Sequence, residues 1–321
     1  MLALKDEGVT TLFGYPGGSI MPVYDALYDY TRGEKAAFEH ILVRHEQAAV
    51  HAAEGFARVS GRVGVALVTS GPGATNTLTG VADAMLDSTP LVVIAGQVPT
   101  KALGTDAFQE VDLVGVAQPI SKWSYQIRHA QDIAWAVSRA FYIARSGRPG
   151  PVVLDFPKNA QTELVEYTSK KVDFVRSYVE RPPMDSASVE RAAQLINNAR
   201  KPLALVGQGV ELGNAQQELM AFLEKADIPA GRTMLGLSAL PSNHPLNVGM
   251  LGMHGNYAVN MKEQECDVLI AIGMRFSDRV TGNLKTFARQ AKVIHLDIDR
   301  SEIDKNVKTD HHIIGDAKKV L

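Results

Sequence analysis

"RVGVALVTSGPGATN", Arg62–Asn76, is the stretch on which the fold turns. Val63, Val65, Ala66, Leu67 and Val68 are apolar at both parities of a strand, so the run has no face suited to water and reads as a strand buried on both sides. Gly71, Pro72 and Gly73 then turn the chain into a helical pattern over 74–86. A strand covered on both faces belongs in a parallel sheet, whose neighbours are joined by crossover helices. The same unit recurs outward from it. "HILV" (40–43), "PLVVIAGQV" (90–98) and "GPVVLDFP" (150–157) are further strands, separated by helical patterns over 46–60 and 132–146. A second series follows at "KPLALVGQGVEL" (201–212), "DIPAGRTM" (227–234), "CDVLIAIGMRF" (266–276) and "AKVIHLDID" (291–299). Between the two series, 161–187 is charged, poorly periodic and carries Pro182-Pro183, the composition of a linker. The expected fold is α/β: two doubly wound parallel-sheet domains, 1–160 and 188–321.

Composition narrows the partners. The 321 residues are 45% hydrophobic, and 33 basic against 35 acidic residues leave a formal charge of −2. Such a balance offers no footprint for nucleic acid or an anionic membrane surface, and the apolar runs are of strand length. Cys266 is the single cysteine, which excludes an internal disulfide framework and a cysteine-based zinc cluster. "MLALKDEGVTTLFG" places Lys5 and Asp6 in its first turns and reads as the tail of an amphipathic helix leading into a strand, not as a targeting segment. For a bacterial protein, the expected compartment is the cytoplasm.

Glycine turns are the first candidate sites. "GYPGGS" (14–19) and "SGPGATN" (70–76) follow strand patterns, where glycine either brings backbone amides to a ligand or merely makes the turn. "GQG" (207–209) is followed by Gly213, one residue too late for the dinucleotide fingerprint. In "VRHEQAAVHAAEGFARVSG" (43–61), Glu46 stands where a strand passes into a helix. It is either a helix N-terminal acid facing water or a carboxylate facing the crevice beyond the strand ends, where ligands of α/β sheets sit. "GTDAFQEVD" (104–112) sets Phe108 beside Gln109, and "LGMHG" (251–255) and "GMRFSDR" (273–279) pair glycine turns with Met253, His254, Arg275 and Arg279. The metalloprotease, nucleophile-elbow and P-loop signatures do not occur, and no metal ligands are expected within the chain.

Taken together and in order, "GYPGGSIMPVYDAL", "VRHEQAAVHAAEGFARVSG", "VTSGPGATN", "GQVPT", "GTDAFQEVD", "SGRPGPVVLDFPK", "GMLGMHG" and "GMRFSDRVTG" closely resemble the large catalytic subunits of acetolactate synthase, also called acetohydroxyacid synthase, a family of thiamine-diphosphate enzymes. The resemblance runs essentially end to end. It implies a pyrimidine-binding first domain and a central FAD-binding domain. It also implies a third domain, holding the diphosphate and Mg2+, whose motif does not occur within these residues: Gly315-Asp316 continues as Ala-Lys-Lys. No turnover is expected of this polypeptide alone.

By the same resemblance Glu46 contacts the aminopyrimidine ring, Tyr15, Pro16 and Gly17 form the loop near the reacting carbon, Pro72 and Asn76 the pyrimidine-side turn, and Gln109 a nearby amide. Phe108 and Met253 are expected in the substrate channel, Arg279 at the carboxylate of the second 2-keto acid, and Lys122 among the substrate residues. For FAD the resemblance implicates Ser88, Arg148, Gly207, Gly209, Thr233, Met234, Leu251, Gly252, Met253, His254, Gly273, Met274, Arg275, Phe276, Ser277, Asp297, Ile298 and Asp316; Ser277 stands where many relatives have aspartate. The flavin has no redox role in the overall reaction of this family. The implied activity is decarboxylating condensation of pyruvate with pyruvate or 2-ketobutyrate in branched-chain amino-acid synthesis. The implied assembly is a homodimer or homotetramer formed through the first domain, with a small regulatory subunit as a further partner. Competing readings are pyruvate oxidase, glyoxylate carboligase, and a non-catalytic dimerising fragment that holds FAD.

Overall fold

A computed structural model describes all 321 residues, Met1–Leu321. They form two compact units, Met1–Tyr178 and Val179–Leu321, each built on a six-stranded sheet whose paired strands are all parallel.

In the first unit the strands are β1 (Thr11–Gly14), β2 (Glu39–Leu42), β3 (Gly64–Val68), β4 (Leu91–Gln97), β5 (Trp123–Gln126) and β6 (Pro151–Pro157), in the order β2-β1-β3-β4-β6-β5. Every residue of β3, β4 and β6 is buried. Alternate residues feed opposite layers: Val65, Leu67, Val92, Ile94, Val152 and Leu154 pack with Phe141 on one face. Ala66, Val68, Val93, Ala95 and Val153 pack with Ala49, Val50 and Ala53 on the other. A one-residue slip would exchange the two layers, so register is strongly specified. The helix Glu46–Ser60 buries Ala49, Val50, Ala53 and Ala57, one face at helical spacing, and ends on Gly61 at φ 69°, a left-handed stop that glycine adopts without Cβ strain.

Three features depart from expectation. The helix over 74–86 is two pieces, Pro72–Thr75 and Leu78–Leu86; between them the buried Thr77 hydroxyl donates to the Ala74 carbonyl at 2.6 Å, and this local bond competes with the helical one. β2 is an open edge: Ile41 and Leu42 are exposed, although "HILV" reads as a buried strand. β5 has no apolar run to announce it; it is half-buried and lies at the other edge. Beyond the short helix Lys158–Thr162, Val172, Val175 and Tyr178 pack against the first core.

The second unit contains β7 (Pro202–Val206), β8 (Ala230–Arg232), β9 (Asn247–Met250), β10 (Val268–Ile272), β11 (Lys292–Asp297) and β12 (His311–Ile314), ordered β12-β11-β10-β7-β8-β9. Renumbered within the unit this is 6-5-4-1-2-3, the doubly wound order of dinucleotide-binding sheets. β9 and β12, absent from the sequence reading, are the two four-residue edges. No helix is long and apolar enough to cross a membrane.

One buried acid in this unit carries a pH signature. Glu263, on the helix Tyr257–Glu265, is buried, and desolvation pushes its carboxyl up from 4.5 to about 7, against the pull of the Gln264 amide that donates to it at 2.8 Å. Between those two values the folded state keeps a proton that the unfolded chain has lost. The contribution of Glu263 to stability is therefore greatest below about pH 4.5, falls as pH rises to about 7, and is level above. Glu263→Gln is expected to remove that slope and to raise stability at pH 8 by as much as ~3 kcal/mol. Urea midpoints of both proteins at pH 5 and pH 8 check it; equal slopes would refute it.

Candidate functional site

The first sheet reverses direction of winding between β1 and β3, which are hydrogen-bonded neighbours leading to crossovers on opposite sides. Beyond the carboxyl ends of such a pair a crevice opens. Four segments meet there: the turn after β1 (15–19), the turn after β3 (69–76), the start of the helix after β2, and the loop 104–112 beyond β4.

Glu46 is the first residue of its helix, 8% exposed. The preceding His45 is extended (φ −157°), and its Nδ1 accepts from the Gln47 amide at 3.2 Å, capping the helix. The cap leaves the Glu46 side chain directed inward. Asn76 Nδ2 donates to Glu46 Oε2 at 2.9 Å. On the other side lies Gly73, where a Cβ would stand 3.2 Å from Glu46 Oε1 and 2.6 Å from Thr69 Cγ2. Any side chain at 73 would collide with Thr69 and crowd the carboxylate. Of the two readings open in the sequence, the structure selects the carboxylate that faces the crevice.

Thr69 also receives the other turn. A Cβ on Gly17 would lie 2.6 Å from Thr69 Cβ. Tyr15 donates its amide to the Leu67 carbonyl at 3.1 Å, and Ser70 and Ser19 share a hydroxyl bond at 2.8 Å. Tyr15 is exposed, and Pro16 and Gly17 are partly so. Gln109, at φ 60°, rests on the Gly71-Pro72 turn: a Cβ on Gly71 would lie 2.7 Å from the Gln109 carbonyl oxygen. Its loop is closed by the Glu110 carboxylate, which accepts from the Gly104 and Ala107 amides. Phe108 projects into solvent, 87% exposed. Glu46, Asn76, Pro72, Gly17 and Gln109 are thus brought to one end of one sheet.

Sequence reasoning missed three supports of this arrangement. Thr69, at the end of β3, is the surface on which Gly17 and Gly73 rest. Tyr24 donates its hydroxyl to the Leu67 carbonyl at 3.0 Å, and burial, then the Glu46 charge, push its phenol above the usual range. Asp155, buried on β6, accepts from Gln126 at 2.7 Å and from Gln97 at 3.3 Å; Gln97 also donates to Val111 at 2.8 Å, tying the sheet to the loop that carries Gln109. Burial pushes the Asp155 carboxyl up to about 6, with the two amides opposing. Only the helical phase of Tyr24 and the adjacency of Thr69 to "SGPG" signalled any of these.

Other expected residues lie elsewhere. Lys122 is not at this end: it precedes β5, and its ammonium donates to the carbonyls of Ile143 and, at 2.7 Å, Ser146. That is the work of a lysine at a helix carboxyl end, which corrects its placement among the substrate residues. Ser88 and Arg148 do meet, with Arg148 Nε donating to Ser88 Oγ at 2.8 Å. They precede β4 and β6, at the opposite end of the sheet from Glu46.

In the second unit the corresponding switch point lies between β7 and β10. Gly207, Gly209 and Gly273 pack backbone against backbone there. A Cβ on Gly207 would lie 2.2 Å from the Gly273 oxygen, and one on Gly209 2.7 Å from Gly273 Cα. The Gly207 and Gly209 amides are already donated, to Ile272 and Gly273 at 2.9 Å each. These glycines therefore serve loop against loop, not amides offered to a phosphate. Thr233 caps the following turn by accepting from Gly236. Gly252, at φ 95°, lies against Arg279, whose carbonyl accepts from the Met253 amide at 2.8 Å. Leu251, Met274 and Phe276 are side chains of the core, so only their backbones reach the loops. Met234, Met253 and His254 are exposed, and Arg275 and Ile298 partly so. Ser277 accepts from Arg279 as the cap of the Asp278–Thr281 turn, and Arg279, largely exposed, sits 3.3 Å from Asp278. Asp297 closes β11 and accepts from the Asp299 amide at 2.8 Å. Asp316 caps Ala317–Val320 and lies 3.6 Å from Arg181.

Each unit carries the match to one family model. Residues 1–116 match the thiamine pyrophosphate enzyme N-terminal TPP binding domain, and residues 189–321 match the thiamine pyrophosphate enzyme central domain. Over 99% of its length the chain is 49% identical to a probable acetolactate synthase large subunit of Methanocaldococcus jannaschii, covering 54% of that protein. It is 46% identical to the acetolactate synthase large subunit of Lactococcus lactis, covering 54% of it, and 45% identical to the isozyme 3 large subunit of Escherichia coli, covering 55%. The chain spans about half the length of the curated relatives it matches. With the two matches in order along it, the chain belongs to the thiamine pyrophosphate enzymes and carries their N-terminal and central domains.

Proposed function

We propose that the chain forms the amino-terminal and central parts of an acetolactate synthase large subunit, which condenses pyruvate with pyruvate or with 2-ketobutyrate after decarboxylation. The observation that carries the proposal is the buried carboxylate at the β1/β3 switch point, with Asn76 donating to Glu46 Oε2 and the side-chain-free Gly73 beside Oε1. A carboxylate held in this way suits the basic nitrogen of a flat ring bound beyond the strand ends, and bound thiamine diphosphate supplies the electron sink for decarboxylating a 2-keto acid.

Glu46 holds or gives a proton at Oε1 toward the ring nitrogen, while Asn76 fixes the other oxygen. Gly17 and Tyr15 are assigned to the loop near the reacting carbon, Gln109 to a nearby amide, and the exposed Phe108 to the substrate channel. The exposed side chains of Tyr15, Met21, Leu42 and Phe108 at this end of the sheet suit cover by a second copy of the subunit, in a homodimer or homotetramer. A small regulatory subunit is the further partner suggested by the large-subunit names of the relatives. FAD is assigned to the second unit on its strand order, with Arg275, Met253 and Asp297 at the carboxyl ends of β10, β9 and β11. The ligands of Mg2+ are assigned to the part of the relatives that this chain does not span.

The test joins the chain at Leu321 to the carboxyl-terminal remainder of the Escherichia coli isozyme 3 large subunit. Given thiamine diphosphate, Mg2+ and FAD, the fused protein is expected to form acetolactate from pyruvate, and the 321-residue chain alone to form none. A folded, cofactor-bearing fusion without acetolactate would overturn the substrate assignment; turnover by the chain alone would overturn the division of the cofactor site.

A further inference from the structure

On the helix Glu46–Ser60, His51 and Glu54 are three residues apart and share a face, with His51 Nδ1 3.0 Å from Glu54 Oε2. The helix Leu78–Leu86 brings Asp83 to the same place, its Oδ2 3.7 Å from that nitrogen. Gly80 allows the approach: a Cβ there would lie 2.5 Å from Val50 Cγ1 and 3.7 Å from His51 Cε1. One donor atom from each of the three residues falls within a 4.8 Å cluster.

Glu54 makes the cluster more than a surface coincidence. Its side chain is 5% exposed, and Oε1 has no hydrogen-bond partner although Oε2 of the same carboxylate faces His51. A buried carboxylate oxygen given no donor costs about 1–3 kcal/mol or more, and a second carboxylate, Asp83, stands beside it. A cation would satisfy both.

We propose that His51, Glu54 and Asp83 form a site for a divalent transition-metal cation, zinc being the best match. Tetrahedral zinc holds nitrogen and oxygen donors at about 2.0–2.2 Å, which sets neighbouring donors roughly 3.3 Å apart; His51 Nδ1 lies 3.0 and 3.7 Å from the two carboxylates, and the three donors, which fall within 4.8 Å of one another, close on the ion by rotation of the half-exposed Asp83 side chain. One imidazole with two carboxylates favours zinc over magnesium or calcium, which take oxygen ligands. His51 and Asp83 are half exposed (41% and 50%), leaving a route of entry and room for water as fourth ligand. This site is separate from the Glu46 crevice and does not depend on the function proposed for it.

The test titrates the chelator-treated 321-residue chain with zinc chloride by calorimetry, with cobalt(II) as a spectroscopic probe and magnesium chloride as competitor. Expected are one zinc per chain at this site, no displacement by magnesium, and cobalt d–d bands of four-coordinate strength. His51→Gln and Asp83→Asn, both at half-exposed side chains, are expected to weaken that binding at least tenfold and to abolish the zinc-dependent rise in melting temperature. Glu54→Gln, nearly isosteric, is the third variant, and circular dichroism verifies that each is folded. Zinc bound elsewhere on the surface would be common to all four proteins. Equal stoichiometry and affinity in the wild type and the folded variants would overturn the proposal, as would a cobalt spectrum that none of them changes.

Discussion

Glu46→Gln, made in the fused large subunit, is expected to lower acetolactate formation about 10²–10⁴-fold, the range attributable to one positioned proton-transfer group. Glutamine fills the same volume and still accepts from Asn76 Nδ2, the bond seen at 2.9 Å. The His45 cap does not involve the altered side chain, so folding should be preserved. What is lost is an oxygen beside Gly73 that can hold a dissociable proton. The expected pattern is a fall in kcat at an unchanged melting temperature. A variant within twofold of wild type at saturating thiamine diphosphate would remove Glu46 from the mechanism and with it the main support for the proposed function.

Gly207→Ala should unfold the second unit locally or weaken it by about 3 kcal/mol, the upper part of the range for overpacking. The added methyl would stand 2.2 Å from the Gly273 oxygen and 2.6 Å from Met274 Cβ. Neither obstacle is the free end of a flexible side chain: one is backbone at φ 58° and the other belongs to a core residue. The β7 and β10 loops must separate, which strains the bonds from Gly207 to Ile272 and from Gly209 to Gly273. Gly18→Ala is the control, because a Cβ at Gly18 meets nothing within 4 Å. Hydrogen exchange over 202–206 and 268–272 reads the effect on this unit alone. Protection unchanged from wild type would mean the loops yield more easily than their packing implies.

The interior strands were the legible part of the fold. β3, β4, β6, β7, β10 and β11 lie within the apolar runs that announce them, since burial on both faces leaves no alternation to misread. The edges were not legible: β5, β9 and β12 are short and part exposed, and pairing on one side is all that makes them strands. β2 shows the converse. Its sequence is that of an interior strand, but its place at the end of the order leaves Ile41 and Leu42 open.

At the site, the family resemblance named Glu46, Asn76, Gly17 and Gln109 from separate stretches of chain, and the turns after β1 and β3 bring them to one end of the sheet. Lys122 shows the limit of that reading, because a lysine's neighbours across a fold leave no trace beside it in the chain. The same holds for Thr69, Tyr24 and the Gln97–Asp155–Gln126 network, whose contacts span tens of residues. By itself the sequence determined that there would be two parallel sheets, and where their interior strands run, because hydrophobic periodicity is a local property of the chain. Only the tertiary structure decided which glycines face a ligand and which face another loop, and which carboxylates lie buried without a donor. Those outcomes depend on distances between residues remote in sequence, and packing alone sets them.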